Sequence, residues 1–411
     1  MNILLVGHAY GPGLGSEPGL TWNWAWHLSA SHQVWVLAHP KWRDEVERVL
    51  VETPNPNLHV VWVTLPPRID PWDHRRGERG IRVHYLLWQR AAFRTASRLH
   101  RHLGIDLVHH VSWNSLSGPP LLWRLPVPFV WGPVGGGQLA PVAFRRYFGR
   151  NWRFQALRNS RVRLLPYLPM LRRTVRRSAL LLATNRETAR VMEAAGGQGV
   201  RFLYDNGLSA ESLPACPPER APSAGLTLLW AGRLEARKAL PLLLEAMART
   251  RDLEPAPRLL VAGDGPLRAE WETMAGQLGL GEQVRFLGLV PWRQMPTVFR
   301  DADAFAFTSL QDSSGSAVFE AMAYALPVLT LDHQGMAMVL PDDVGIKVPV
   351  TTPEETVAGL ADGIRRLARS PDVRRGMGEA AWVCANSQTW ARRAALMSSW
   401  YHEVVDAHRR R

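Results

Sequence analysis

The chain has 411 residues, a length that predicts two domains. Of these residues 46% are hydrophobic and 21% charged, a composition that is typical of a globular protein and excludes a mainly disordered one. Its formal net charge of +13 predicts an anionic partner: a nucleotide phosphate, a phospholipid surface or a nucleic acid. The two cysteines exclude a disulfide framework, so we expect a cytoplasmic protein. The sequence shows neither a secretory signal nor an apolar run of about 20 residues, so we expect no transmembrane helix.

Apolar runs typical of buried strands alternate with helical stretches through the first part of the chain. This alternation predicts right-handed β-α-β units and a doubly wound parallel sheet. The predicted strands are Ile3–Val6, Val34–Ala38, Val60–Val63, Leu107–Val111 and Phe129–Trp131, and the predicted helices are Thr21–Ser29, Trp42–Val51 and Val83–Leu103.

The same alternation continues through the second half and predicts a second sheet. We therefore expect an α/β fold of two Rossmann-like domains facing a cleft. The predicted limits are 1–204 for the first domain and 205–388 for the second, with the helix in 389–411 returning to the first. The predicted strands are Leu180–Ala183, Arg201–Leu203, Leu226–Ala231, Arg258–Ala262, Val284–Leu287, Ala304–Thr308 and Val328–Leu331, and the predicted helices are Leu240–Thr250, Leu267–Gly276 and Ser316–Ala325.

Residues 144–178 contain eleven arginines, no acid, and many aromatic and aliphatic residues between the arginines. Such a segment suits an anionic bilayer interface, where each basic side chain contributes roughly 1 kcal/mol. The alternative is a solvated basic face whose aromatic residues complete the local core. Nucleic acid is disfavoured as a partner because no reader motif accompanies the charge.

A basic motif follows the predicted strand Leu226–Ala231. Ligands of parallel α/β sheets bind beyond the carboxyl ends of the strands, and Arg233 and Lys238 lie there. A guanidinium fork and a compact ammonium together suit a pyrophosphate leaving group. The alternative is ordinary surface charge.

A second motif connects the strand that ends near Thr308 to the next helix. The backbone N–H groups of Ser313, Ser314 and Gly315 are expected to point from the helix N-terminus at a diphosphate. Carboxylates flank this turn at Asp312 and Glu320, and both can accept hydrogen bonds from sugar hydroxyls. The alternative is a capping carboxylate and a surface glutamate.

Further segments of the second half follow in a fixed order: Asp205-Asn206-Gly207, Ala231-Gly232-Arg233-Leu234, Ala262-Gly263-Asp264-Gly265-Pro266-Leu267, Val284 to Gly288, and Glu320-Ala-Met-Ala. Together with the two motifs above they resemble glycosyltransferase family 4, and the resemblance covers nearly the whole chain. It implies the GT-B fold, a nucleotide diphosphate sugar as donor, a hydroxyl acceptor and retention of configuration at the transferred sugar.

The resemblance also implies roles for single residues. Arg233 and Lys238 would bind the donor diphosphate beside Gly232, Glu320 the ribose, and Asp312 the transferred sugar. The base pocket would be lined by Leu289, Val290 and Pro291. The family usually has Glu where this chain has Asp312, and a Gly-Phe-Gly-like loop where it has Ser313-Ser314-Gly315, so the donor sugar stays open.

The first domain carries a glycine-rich turn after its first strand. A dinucleotide fingerprint fails at its third glycine, where Pro18 stands. In the glycosyltransferase interpretation, Gly15 and Ser16 approach the donor phosphates and Glu17 faces the acceptor or donor sugar. The alternative is a glycine turn without a ligand.

Two further strand ends of the first domain are candidates. Family members often carry a histidine near the transferred sugar at the end of the strand Leu107–Val111, and we assign His110, although a core histidine is the alternative. The glycines that follow the next strand permit close backbone approach. We assign Gly135 and Gly136 to the acceptor side of the cleft, with a structural turn as the alternative.

Asp301 and Asp303 have the spacing of a metal site but precede their strand, at the edge away from the ligand side. Because Arg233 and Lys238 can offset the phosphate charge, we predict no required metal and no cofactor. Other functions stay open: a nucleotide-sugar epimerase, an NAD-dependent enzyme or a non-catalytic basic docking protein. The acceptor is unknown, and the basic segment favours a lipid-linked one.

Overall fold

The computed structural model describes residues 1–14, 16–113, 115–218, 225–313 and 315–410, without the side chains of Ser16, Arg76 and Ser212. Contacts within the chain divide it into two compact units. The first unit contains Met1–Gly137, Arg163–Asn206 and Trp390–Arg411, and the second contains Gln138–Val162 and Gly207–Thr389.

The strands and α-helices alternate along the chain. The strands are β1 (Asn2–Val6), β2 (Gln33–Ala38), β3 (Leu58–Trp62), β4 (Leu107–His110), β5 (Phe129–Val134), β6 (Leu180–Ala183), β7 (Arg201–Phe202), β8 (Thr227–Ala231), β9 (Arg258–Ala262), β10 (Val284–Gly288), β11 (Ala304–Phe307), β12 (Val328–Asp332) and β13 (Gly345–Pro349). The helices are α1 (Ser16–Leu28), α2 (Arg43–Glu52), α3 (Ile81–Leu103), α4 (Arg145–Phe148), α5 (Trp152–Leu164), α6 (Pro169–Arg177), α7 (Arg186–Ala194), α8 (Leu240–Ala248), α9 (Arg268–Gln277), α10 (Met295–Arg300), α11 (Ser316–Ala323), α12 (Gln334–Val339), α13 (Pro353–Arg369), α14 (Pro371–Asn386) and α15 (Trp390–Arg409).

The sheet of the first unit is parallel, with the strand order β3-β2-β1-β4-β5-β6-β7 across the described residues. The order reverses between β1 and β4, and such a switch point is where ligands bind in open α/β sheets. Helix α15 packs on α1, and its Met397 and Tyr401 are buried in the core with β-strand residues such as Ile3 and Val36.

The sheet of the second unit is also parallel, with the strand order β10-β9-β8-β11-β12-β13 in the part of the chain that the structure describes. Its switch point lies between β8 and β11. The strands are buried on both faces because helices cover both sides, which explains their continuous apolar sequences. Both units are thus Rossmann-like, as the sequence predicts.

Residues 138–162 pack with the second unit, whereas the predicted limits placed them in the first domain. The physical reason is apolar burial: Phe144, Tyr147 and Phe148 lie in the core that surrounds β8. The Tyr147 hydroxyl donates to Glu245 Oε2 at 2.9 Å, and Arg146 forms an ion pair with the same carboxylate at 2.9 Å.

The structure differs from the predicted elements at helix α1 and strand β13, among others. Helix α1 begins at Ser16 rather than Thr21. Pro18 is tolerated in its first turn, because the N–H that proline lacks would have no hydrogen-bond partner within the helix at that position. Strand β13 was not predicted, since Lys347 and Pro349 interrupt its apolar pattern. Lys347 donates to the Leu340 carbonyl at 3.1 Å and forms an ion pair with Asp342 at 2.5 Å, which compensates its charge beside the sheet.

Candidate functional site

The loop after β8 is held against the loop after β9 by close backbone packing. Gly263 has a φ of +135°, and a Cβ there would lie 1.9 Å from the Gly232 carbonyl oxygen. A Cβ at Gly265 would similarly lie 2.5 Å from the Leu234 carbonyl oxygen. These glycines allow the loop to turn at the carboxyl edge of the sheet, where the Arg233 side chain is exposed to solvent.

The loop after β8 is also bonded to the end of the neighbouring strand β11. The Leu310 N–H donates to the Arg237 carbonyl at 2.9 Å, and the Thr308 hydroxyl donates to the Lys238 carbonyl at 3.1 Å. Thr308 in turn accepts from the indole of Trp230 at 3.2 Å. The two strand ends that flank the switch point are therefore fixed to each other.

This arrangement brings Lys238, which is predicted to bind phosphate, into contact with Asp312, which is predicted to bind the sugar. Lys238 Nζ forms an ion pair with Asp312 Oδ2, and both side chains are largely buried, at 15% and 18% exposure. Arg237 Nη1 lies 3.4 Å from the same oxygen, and its Nη2 lies 2.6 Å from Glu235. We call Arg237, Lys238 and Asp312 the switch-point cluster.

Gln334 is a site residue that sequence reasoning missed. Its Oε1 accepts from the Asp312 N–H at 3.0 Å, and its Nε2 donates to the Leu139 carbonyl at 3.0 Å. Gln334 is buried with a φ of +51° at the start of α12. It therefore fixes the backbone of Asp312, and its only sequence signal is its position after the end of β12.

Helix α11 begins at Ser316, as predicted, and the direction of the backbone N–H groups in the turn before it stays a prediction. Gly315 is the buried N-cap residue of α11, Ser313 is half-buried before it, and Ser314 lies outside the described residues. A Cβ at Gly315 would come within 3.0 Å of the Val318 side chain, so the glycine lets the turn pack closely. A small recess follows, lined by Phe307, Ser309, Asp312, His333, Gln334, Gly335 and Met336.

Glu320 lies on α11 and is half-buried. Burial raises the pKa of its carboxyl group, because an ionised carboxylate loses solvation inside the protein. Among the described residues, no hydrogen bond or ion pair to this carboxylate is seen. A buried carboxylate without a partner is stabilised when a ligand donates hydrogen bonds to it.

The predicted base pocket lies at the carboxyl end of the edge strand β10. Leu289 is 81% exposed, Val290 is half-buried and Pro291 is exposed. Trp292, which the sequence analysis did not select, is 64% exposed beside them. An apolar surface of this kind suits a flat base.

The predicted residues of the glycine-rich turn in the first unit are only partly described. Gly15 lies outside the described residues, Ser16 is the first residue of α1, and Glu17 is half-buried in its first turn. Burial, followed by the charge of the Glu17 carboxylate, raises the pKa of Tyr85.

His110 is fully buried, not open to solvent. Its Nε2 shares a hydrogen bond with the Tyr85 hydroxyl at 2.9 Å. Burial, followed by the charge of His109, lowers the pKa of His110 to about 3, so the imidazole is neutral. His109 Nε2 donates to the Gly132 carbonyl at 2.6 Å, and its Nδ1 accepts from Tyr401.

The glycines after β5 pack against backbone. Gly136 has a φ of +98°, and a Cβ there would lie 3.3 Å from Ser115 Oγ. The Gly135 carbonyl accepts from the Leu116 N–H at 3.3 Å. These contacts fit the structural-turn alternative, and the acceptor-side role of Gly135 and Gly136 stays a prediction.

The Asp303 carboxylate is engaged inside the second unit. It accepts from the Thr227 N–H at 2.8 Å and lies 3.9 Å from Arg374. These contacts give Asp303 a structural role at the amino ends of β8 and β11.

The basic segment 144–178 divides into buried and exposed apolar residues. The predicted interfacial side chains of Phe144, Tyr147, Phe148 and Leu165 are buried, so the local-core alternative holds for them. The exposed ones are Phe154, Leu157, Leu164, Tyr167 and Leu168. Among the described residues, no helix is long and apolar enough to cross a membrane.

Comparison with known proteins finds a family match within the second unit. Residues 218–382 match the family described as "Glycosyl transferases group 1". The phosphatidyl-myo-inositol mannosyltransferase of Mycobacterium tuberculosis is 30% identical over 219 residues, which are 52% of this chain and 56% of that protein. The D-inositol 3-phosphate glycosyltransferase of Saccharomonospora viridis is 31% identical over 199 residues, or 46% and 45%. The chain thus spans about half the length of these relatives.

Solved structures resemble the chain over nearly its full length. Sucrose-phosphate synthase from Thermosynechococcus elongatus matches with a TM-score of 0.65 and 17% identity, covering 98% of this chain and 99% of that one. Anabaena HepE in complex with UDP matches with a TM-score of 0.62 and 18% identity, covering 97% and 100%. At such identities the likeness shows the fold alone, and the predicted GT-B fold of two Rossmann-like domains is confirmed.

Proposed function

Because residues 218–382 match the family described as "Glycosyl transferases group 1", we propose that this chain is a retaining, metal-independent glycosyltransferase of the cytoplasm. It moves a sugar from a nucleoside diphosphate to a hydroxyl acceptor. The observation that carries the proposal is the switch-point cluster, in which cationic side chains and a carboxylate meet at the carboxyl ends of β8 and β11.

The charge balance of this edge favours a diphosphate. Arg233, Arg237 and Lys238 are cationic, whereas Glu235 and Asp312 are anionic. The negative charge of a bound diphosphate offsets this excess of positive charge. As the bond to the sugar breaks, negative charge grows on the leaving phosphate, and fixed cations lower the barrier by stabilising it.

Before the donor binds, the ion pair between Lys238 and Asp312 holds both side chains in one arrangement. Donor phosphate competes with Asp312 for the ammonium of Lys238, and the released carboxylate then accepts from hydroxyls of the transferred sugar. Arg237 keeps Asp312 near its position, since it contacts the same carboxylate oxygen. Gln334 fixes the backbone of that residue.

Glu320 binds the ribose in this proposal. Two neighbouring ribose hydroxyls donate to its carboxylate, which has no partner among the described residues and a pKa raised by burial. Hydrogen bonds to a charged acceptor contribute about 1.5–3 kcal/mol. The exposed apolar side chains of Leu289 and Trp292 then cover the base.

Retention of configuration follows from a front-face displacement. The acceptor hydroxyl attacks on the side from which the diphosphate leaves, and the leaving phosphate oxygen takes its proton. No required metal enters, because Arg233 and Lys238 offset the charge. His110 is neutral and buried, so any role beside the transferred sugar is through its hydrogen bond to Tyr85.

A lipid-linked acceptor is the second part of the proposal. One relative is named for phosphatidyl-myo-inositol, and Phe154, Leu157, Leu164 and Tyr167 are exposed among unpaired arginines of the described chain, such as Arg153. Apolar side chains enter the headgroup region while arginines attract anionic lipid.

The donor is tested by measuring thermal stability with a panel of nucleotide sugars, followed by transfer to a membrane extract. Stabilisation by one nucleotide series and transfer from it support the proposal. A donor converted to an epimer without acceptor would instead support an epimerase. Stabilisation by no nucleotide sugar contradicts the donor assignment.

Membrane contact is tested by flotation with vesicles that contain anionic lipid. We expect Phe154→Ser with Leu157→Ser to reduce flotation, and the matched change of another exposed residue, Val383→Ser in α14, to leave it unchanged. Absence of wild-type binding at low salt would refute this part without affecting the donor assignment.

A further inference from the structure

A cluster of histidines lies at the carboxyl edge of the sheet in the first unit, at its switch point. His8 follows β1 and His39 follows β2, while His84 lies in the first turn of α3. Asp70 comes from the segment 63–80 between β3 and α3. We call His39, Asp70 and His84 the histidine–aspartate triad. No sequence motif assigns any of them a function.

The triad has the geometry of a metal site. One potential ligand atom from each of His39, Asp70 and His84 lies within 4.8 Å of the other two. His84 Nδ1 is 2.6 Å from Asp70 Oδ1, and its Nε2 is 3.0 Å from His8 Nε2. Three donor groups from separate parts of the chain therefore converge on one point.

His39 supplies an independent indication of a ligand. Its side chain is 7% exposed, and its Nδ1 is buried with no hydrogen-bond partner among the described residues. Buried ring nitrogens are normally hydrogen-bonded, because an unsatisfied one costs about 1–3 kcal/mol.

We propose that His39, Asp70 and His84 bind one divalent ion of the Zn²⁺ class, with water in the fourth position. Two imidazole nitrogens and one carboxylate oxygen form a donor set that Zn²⁺ takes in proteins. Binding replaces the proton shared by His84 Nδ1 and Asp70 Oδ1, and that proton is released to solvent.

His8 completes the site as a positioning residue. With the metal on Nδ1, the Nε2–H of His84 donates to His8 Nε2, and such outer contacts fix the orientation of a ligating ring. The ion links the segment 63–80 to the sheet edge through Asp70. The proposed sugar transfer does not use this ion, since the cationic residues that bind the donor phosphates belong to the second unit.

The test uses the full chain, stripped of metal with a chelator and titrated calorimetrically with Zn²⁺ alone. We expect one ion per chain for the wild type and binding at least about 100-fold weaker for His39→Gln. His102→Gln removes an exposed histidine of the same helix as His84 and should bind like the wild type. Asp70→Asn is a second ligand variant at a partly exposed position.

Two outcomes overturn the proposal: no stoichiometric Zn²⁺ binding by the wild type, or equal affinity of the wild type and both ligand variants. Should the variants fail to fold, the visible spectrum of Co²⁺ added to the wild type decides. Absorption of a four-coordinate Co²⁺ with nitrogen ligands supports the site, and a spectrum of hydrated Co²⁺ refutes it.

Discussion

The pair of Lys238 and Asp312 gives a prediction whose size follows from its burial. Exposed ion pairs contribute about 0.2–1 kcal/mol, and removing one partner of a fully buried pair costs about 3–5 kcal/mol. These side chains are 15% and 18% exposed, and Arg237 remains 3.4 Å from the same oxygen. We therefore expect Lys238→Met to lower the free energy of unfolding by about 1–2 kcal/mol.

The assay is a double-mutant cycle in denaturant with Lys238→Met, Asp312→Asn and the double variant. The control cycle uses Arg375 and Asp372, whose ion pair of 2.6 Å is 72% and 88% exposed. We expect a coupling free energy of about 1 kcal/mol for the first cycle and less than about 0.5 kcal/mol for the control. Equal coupling in both cycles would refute the argument that burial strengthens the switch-point pair.

Three further changes test single residues. Glu320→Gln should raise the melting temperature at neutral pH, because the raised pKa of Glu320 means that the folded protein disfavours the carboxylate; calorimetry should also show donor binding weakened roughly 10-fold. A gain in donor affinity would contradict the ribose role. Wild-type stability should fall as pH drops from 6.5 towards about 3, the lowered pKa of His110, because the unfolded chain binds that proton first. His110→Gln should reduce this slope by about 1.4 kcal/mol per pH unit, and an unchanged slope in melts across that range would count against the neutral, buried imidazole. Gly263→Ala should cost about 2–4 kcal/mol on unfolding in denaturant because of its φ and its contact with Gly232, whereas Gly276→Ala in α9 meets nothing within 4 Å and should gain up to about 1 kcal/mol. Similar values for the two alanine variants would contradict the contact.

Much of the fold follows from the sequence because buried parallel strands have continuous apolar runs. Strands β6 and β9 match the predicted Leu180–Ala183 and Arg258–Ala262. The unit to which residues 138–162 belong was not predictable, since Phe144 and Phe148 look the same in the sequence whichever core they enter. That choice depends on tertiary packing.

The candidate site was predictable as a set of positions but not as a set of contacts. Spacing places Lys238 and Asp312 after two strands, and only the strand order makes those strands neighbours. Gln334 was missed because a buried glutamine at a helix start has no motif. The histidine–aspartate triad was missed because its members are far apart in the sequence and Asp70 lies in an irregular segment.

The central claim is that cationic side chains at the edge of the second sheet bind the donor diphosphate. The most direct measurement is turnover of every accepted donor by the double variant Arg233→Ala with Lys238→Ala. The control is Arg375→Ala, which removes an exposed positive charge elsewhere. We predict that kcat of the double variant falls at least about 100-fold, with the control unchanged. Turnover by the double variant equal to that of the wild type would contradict the account.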